Sequence, residues 1–315
     1  MTETKKKENT IADLLPFVVM GVFLLLVQLI SIMLAQPMIS EGMQFTDDPE
    51  NVWYSVYYIA LILGFTLVIL IAIKKNIKWL IHGFILFAIA STLYYVFFAI
   101  TAGFMDESTS FWFTLALSLL LTALLYIFPE WYVIDIIGIL IGAGVTAIFG
   151  ISFAVVPTLV LLVLLAIYDA ISVYQTKHML ALAEGVMDMK VPILFVIPRH
   201  LNFSFRQYKY DKEGEREAFF MGLGDAVMPT ILMVSANVFI TQADYVKLLI
   251  FELPGIGIIN SPALGAAVGT IVGFAALMAL VAKGKPQAGL PFLNTGAILG
   301  YVAGCLWSSI PIIPL

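Results

Sequence analysis

Hydrophobic residues in this chain come in long blocks. They do not alternate as in a half-buried strand, nor do they form the stripe of an amphipathic helix. A helix needs about 20 apolar residues to cross the hydrocarbon of a bilayer. Nine blocks meet that length, at 14–35, 52–73, 79–101, 110–128, 131–149, 153–174, 218–240, 262–282 and 288–307. The fifth and sixth run together through 147–157, where Gly150 and Pro157 mark the expected turn, since both weaken a helix interior. One long polar segment, 175–217, lies between the sixth and seventh blocks. Within it Val191–Ile197 is apolar, too short to span and rich in β-branched residues, so a strand or an interfacial segment is expected there. The pattern predicts an all-α, polytopic membrane protein with nine transmembrane helices in a single domain over 1–315.

Composition agrees. Of the 315 residues, 61% are hydrophobic and 12% charged, with a mean hydropathy of +1.01. Soluble domains average about 45–50% apolar and about 25% charged. The single cysteine, Cys305, excludes an intramolecular disulfide. Lys5, Lys6 and Lys7 precede a first block that spans fully and lacks a small-residue cleavage site, so it is not a secretory signal.

Charge placement sets the orientation. With nine spans, fifteen of the sixteen basic residues fall on one side, and only Lys247 falls on the other. The opposite loops carry Glu41, Asp47, Asp48, Glu50, Asp106, Glu107, Asp244 and Glu252. The positive-inside rule then places the N-terminus in the cytoplasm with the 175–217 loop, and the C-terminus outside. Eight spans would break this asymmetry. The basic loop can also touch anionic lipid headgroups. Its basic residues are dispersed among Asp211, Glu213, Glu215 and Glu217, which leaves nucleic-acid binding without support.

Two aspartates lie inside the blocks. Asp169 sits five residues before the end of the sixth, and Asp225 seven residues into the seventh. At 1.5 Å per residue both are ~8–11 Å below the inner boundary, so consecutive spans can bring them face to face. An aspartate at the centre of a span costs roughly 2.5–3.5 kcal/mol. Two carboxylates close together in low dielectric share one proton and titrate as a pair. Such a pair can activate water with its ionised member and protonate a carbonyl oxygen with the other, which is the chemistry of peptide hydrolysis. Gly222 and Gly224 leave the backbone bare beside Asp225, so that another backbone can approach. The same carboxylates would also suit a secondary transporter or proton-coupled channel, although the two-fold symmetry common in transporters is not evident.

Tyr168-Asp169 on the sixth span and Gly222-Leu223-Gly224-Asp225 on the seventh resemble the presenilin and signal peptide peptidase family of intramembrane aspartyl proteases. The resemblance runs across all nine spans. It implies that Asp169 and Asp225 are the catalytic pair, that substrates are transmembrane helices, that no metal or organic cofactor takes part, and that a Pro-Ala-Leu motif opens the ninth span beside the site. The literal string Pro262-Ala263-Leu264 opens the eighth span instead, on the outer side. The ninth starts Pro286-Gln287-Ala288-Gly289-Leu290-Pro291, a variant on the correct side, so Gln287, Ala288, Gly289, Leu290 and Pro291 are the expected site residues there. Pro229 and Gln287 look like signal peptide peptidases, whereas the cytoplasmic N-terminus looks like presenilins and implies substrates whose N-terminus lies outside. The compact chain with short loops resembles a prokaryotic or archaeal member in the cell membrane.

Other hydrolase chemistries fail on inventory. His82, His178 and His200 are scattered, with no His-Glu-x-x-His for zinc. No Gly-x-Ser-x-Gly elbow is present. Asp135, four residues into the fifth span, is expected to be solvated at the boundary. Gly265-x-x-x-Gly269, Gly269-x-x-x-Gly273 and Gly138-x-x-x-Gly142 fit close helix contacts within the bundle, and the same spacing would serve a homo-oligomer.

Overall fold

The computed structural model describes residues 2–75, 78–176, 194–200, 202–206, 217–253, 257–282 and 287–314. Among these the chain forms nine α-helices. They are α1 Thr2–Ser40, α2 Val52–Lys74, α3 Lys78–Thr101, α4 Glu107–Ile127, α5 Trp131–Ser152, α6 Val155–Ile171, α7 Leu223–Phe239, α8 Ser261–Val281 and α9 Gly289–Trp307. Eight of them are long and apolar enough to cross a membrane. The exception is α7, with 17 residues. The described residues also form two antiparallel ribbons, β1 Leu194–Pro198 with β2 Ala218–Gly222, and β3 Ile250–Leu253 with β4 Gly257–Asn260.

The seventh block is where the structure departs from the sequence pattern. Residues 218–222, expected as the first turns of a helix over 218–240, are strand, and α7 begins only at Leu223. Ala218-Phe219-Phe220-Met221 is apolar enough to pass for helix. Its partner β1 is the apolar stretch of the long loop, and pairing satisfies the peptide groups of both. Val191, Pro192 and Ile193 lie outside the described residues. The turn after α5 also differs. The break falls at Phe153-Ala154, Gly150 stays inside α5, and Pro157 sits in the first turn of α6, where a missing N–H costs nothing. Gly150 serves a contact instead, because a Cβ there would lie 2.5 Å from Val234 of α7.

The core centres on α5 and α7. Of the long helices α5 is the most enclosed, and its glycines admit neighbours: Gly138 faces the Phe195 ring of β1 and Gly142 faces Leu223, Val27 and Val227. Helices α8 and α9 pack backbone to backbone. A Cβ on Gly265, Gly269 or Gly273 would strike the carbonyl oxygen of Gly300, Gly296 or Phe292, and Cβ atoms on Gly296, Gly300 and Gly304 would strike the backbone of α8 in return. The small-residue spacing is thus consumed within one chain. Ser261 Oγ at the start of α8 also hydrogen-bonds Ser308 Oγ beyond α9.

In contrast, α2 is barely held by protein. One end is anchored where Ser55 Oγ donates to the Pro157 carbonyl at 2.7 Å and Tyr58 packs among Phe45, Phe149 and Phe153. The other half leaves Leu61, Leu63, Phe65, Leu67, Val68 and Ile71 exposed, and meets α3 through the Phe65–Phe84 ring contact and through Ile69 and Ala72 against Ile81 and Ile85.

The glycine seam gives a direct test. Gly300→Val is expected to destabilise by about 1–3 kcal/mol or more, because the obstructing neighbour is backbone. Gly64→Ala, where a Cβ meets nothing within 4 Å among the described residues, is expected to hold or slightly raise the melting temperature in detergent, because alanine suits a helix interior better.

Candidate active site

The buried face of α6 is Thr158, Leu161, Leu162, Leu165 and Asp169, at helical spacing. Asp169 therefore points inward with the leucines and is 3% exposed. Two residues later the helix ends in a π-turn over Ser172–Thr176, a form frequent at functional sites. Asp225 is the third residue of α7, not the eighth of a longer helix, and Gly222 caps that helix. A carboxylate in the first turn is favoured by the helix dipole. The Gly222 backbone lies against this carboxylate, a Cβ on Gly222 being 3.2 Å from Asp225 Oδ2. One turn on, Pro229 has no N–H to give the Asp225 carbonyl, so the ladder is open beneath that residue.

The start of α9 brings the two together. The Leu290 N–H donates to Asp169 Oδ2 at 3.1 Å. A Cβ on the preceding residue, Gly289, would stand 2.8 Å from Asp225 Oδ1 and 3.1 Å from Oδ2. Consecutive residues of one turn thus touch both carboxylates, and a Cβ at 289 would force the Asp225 carboxyl to shift. Ala288 is the N-cap of α9 and is buried. Tyr174 from the π-turn donates to Gln287 Oε1 at 2.8 Å and takes the Ala288 N–H at 3.5 Å. Leu290 packs against the cluster of Phe153, Leu161 and Leu165. Pro291 follows in the first turn, where it needs no N–H. Deeper in, Asn294 Nδ2 donates to the Leu162 carbonyl at 2.9 Å, two turns before Asp169. Pro286 lies outside the described residues.

Four further expectations can be placed. Pro262-Ala263-Leu264 opens α8 against the far end of α7, where Asn260 Nδ2 donates to the Ala236 and Ile240 carbonyls. That is ~20 Å along α7 from Asp225. Among the described residues nothing lies within 4 Å of a Cβ position on Gly224. Tyr168 is half-buried and, among the described residues, bonds neither carboxylate. Asp135 is not solvated: it is 3% exposed and accepts the Val196 N–H of β1 at 2.7 Å. Among the described residues no group of three or more His, Cys, Asp or Glu side chains is placed to hold a metal ion.

Sequence reasoning did not select Tyr174 or Asn294. Their spacing from Asp169 and Leu290 is one or two helical turns, but the helix-to-helix hydrogen bonds they make leave no local mark.

The profile of the family described as signal-peptide peptidase, presenilin aspartyl protease matches residues 20–310. The chain belongs to that family. Two solved structures of a presenilin family intramembrane aspartate protease are similar to it. The one in space group C222 is 40% identical, with a TM-score of 0.68, over 93% of this chain and 99% of that one. The one in space group P2 is 41% identical, with the same TM-score, over 93% and 98%. A comparison with curated proteins found no match. As a member of the presenilin and signal-peptide peptidase family, the chain is a multi-pass intramembrane aspartyl protease.

Gly289→Ala pushes a methyl group into the Asp225 carboxyl. The expected result is roughly a 10²-fold loss of cleavage rate, the size of a displacement of about 1 Å, with the melting temperature held. A rate like the parent's would show that α9 does not set the position of Asp225.

Proposed function

We propose that the chain is an aspartic endopeptidase of the Gly-x-Gly-Asp type, cleaving peptide bonds within transmembrane helices with Asp169 and Asp225 as a pair that shares one proton. The observation that carries this reading is the meeting of both carboxylates on Gly289 and Leu290. Two groups so close in a low dielectric resist ionising together. The ionised member removes a proton from water as its oxygen attacks the peptide carbon. The protonated member gives its proton to the carbonyl oxygen. Collapse of the tetrahedral intermediate breaks the C–N bond: the proton held by the first carboxyl passes to the leaving nitrogen, and the second carboxylate takes a proton from a hydroxyl of the intermediate as the new carboxyl forms, which restores the singly protonated pair.

The surroundings support it. Asp225 is partly exposed beside Gly224, whose Cβ position meets nothing within 4 Å among the described residues, which suits the approach of a substrate backbone. A substrate helix has its peptide groups closed by internal bonds and must unwind before it is cut. An extended segment could then join the β1–β2 ribbon. On β1 that role is taken: β2 holds one edge and Asp135 the other. The β2 side near Gly222 adjoins Asp225 and is the better place for an added strand. The basic end of the bundle, with Lys75, Arg199 and Arg206, faces the cytoplasm in this reading, with lipid around the bundle and substrates entering N-terminus outside.

The test is a tagged single-span substrate incubated with purified protein in detergent. The parent is expected to cleave it, while Asp169→Ala and Asp225→Ala each lose at least ~10³-fold, as expected when one member of an acid–base pair is removed. Equal cleavage by all three would sink the assignment. The rate should also fall on both sides of an optimum: at low pH both carboxyls are protonated and no base remains, and at high pH both are ionised and no acid remains.

A further inference from the structure

Asp135 is a second buried carboxylate, on a different helix from the pair and unused by the proposed chemistry. Only its Oδ1 is bonded. It accepts the Val196 N–H at 2.7 Å, while Oδ2 has no partner among the described residues. A costly group held by one hydrogen bond calls for an account of what that bond does.

Val196 is the middle residue of β1. Because its N–H points at α5, the bonds to β2 are carried by its neighbours Phe195 and Ile197, opposite Met221 and Phe219. The same register sets Leu194 opposite Gly222, and Gly222 is the cap of α7, three residues before Asp225. Other contacts from α5 hold the same segment. Gly138, three residues on from Asp135, lets the Phe195 ring come within 3.2 Å of a Cβ position. Glu130, five residues before, accepts Ser204 Oγ at 2.8 Å and the Phe205 N–H at 3.1 Å. The chain of contacts runs from α5 through Asp135 to β1, across to β2, and into the turn that presents Asp225.

We propose that Asp135 is a positioning residue: by gripping β1 it fixes the depth of Asp225 against Asp169, and so which substrate bond is cut. This rests on the proteolytic reading above. Asparagine keeps the acceptor and the shape, whereas leucine removes the acceptor. Val196→Pro removes the donor from the other side and spares the β ladder, because this N–H does not face β2.

The experiment uses the full chain in detergent. Amide hydrogen exchange is followed in 194–198 and 218–222, and cut positions on a single-span substrate are read by mass spectrometry. Asp135→Asn should match the parent in both. Asp135→Leu and Val196→Pro should each speed exchange in the ribbon and lower kcat about tenfold, the scale of one lost hydrogen bond to a buried carboxylate. Their KM should change little, and cleavage should spread to neighbouring bonds. The double variant should be no worse than either single one. Unchanged exchange in both variants, or unaltered cut positions with only KM moved, overturns the proposal. If Asp135→Leu does not fold, Val196→Pro decides it by the same measures. If the parent cleaves nothing, the proteolytic reading fails, and exchange alone decides whether Asp135 holds the ribbon.

Discussion

A helix that begins within the depth of a membrane has N–H groups with no water to bond them, and a carboxylate at that depth has no water to solvate it. Each is costly alone. In this chain they meet: the first turn of α9 gives its Leu290 N–H to Asp169, and the positive end of the α9 dipole lies beside the two carboxyl groups. The site depends on this exchange between a helix end and an acid. It places Gly289 against Asp225 in the same turn, so one backbone segment measures the gap between two helices.

That segment must itself be held. The glycine seam clamps α9 to α8 with no side chains between the backbones. Asn294 ties it to α6, and Tyr174 fixes the entry at Gln287 and Ala288. Asp225 is approached from the other direction, by a strand-to-helix turn whose ribbon rests on α5. Rigid elements thus converge on the two aspartates from both sides and hold their separation to within fractions of an ångström.

Much of this was legible in the sequence. Block lengths and lysine placement gave the helix count, and the spacing of Asp169 and Asp225 from their loop gave a shared depth. The variant at Ala288-Gly289-Leu290 was preferred over Pro262-Ala263-Leu264 by side alone, and the structure puts those residues at the carboxylates. What stayed hidden was pairing over long sequence distances. Nothing local marks 218–222 as strand, because its apolar residues suit a helix until β1 offers a partner. Asp135 read as a solvated boundary residue because position along a helix says nothing about which strand lies across it. Gly222 and Gly224 read alike as backbone laid bare for another backbone to approach, yet Gly222 lies against Asp225 itself and Gly224 meets no neighbour among the described residues.

Helix α2 has the mechanics of a beam tied at its ends, at Ser55 and Tyr58 on one side and where Ile69 and Ala72 meet Ile81 and Ile85 of α3 on the other. Twelve residues beyond Ser55, about the distance that separates Pro157 from Asp169 on α6, lies Leu67, which is exposed. At the depth of the carboxylates, that flank is therefore braced by acyl chains as well as by protein. Its stiffness belongs jointly to the polypeptide and to the order and thickness of the surrounding lipid.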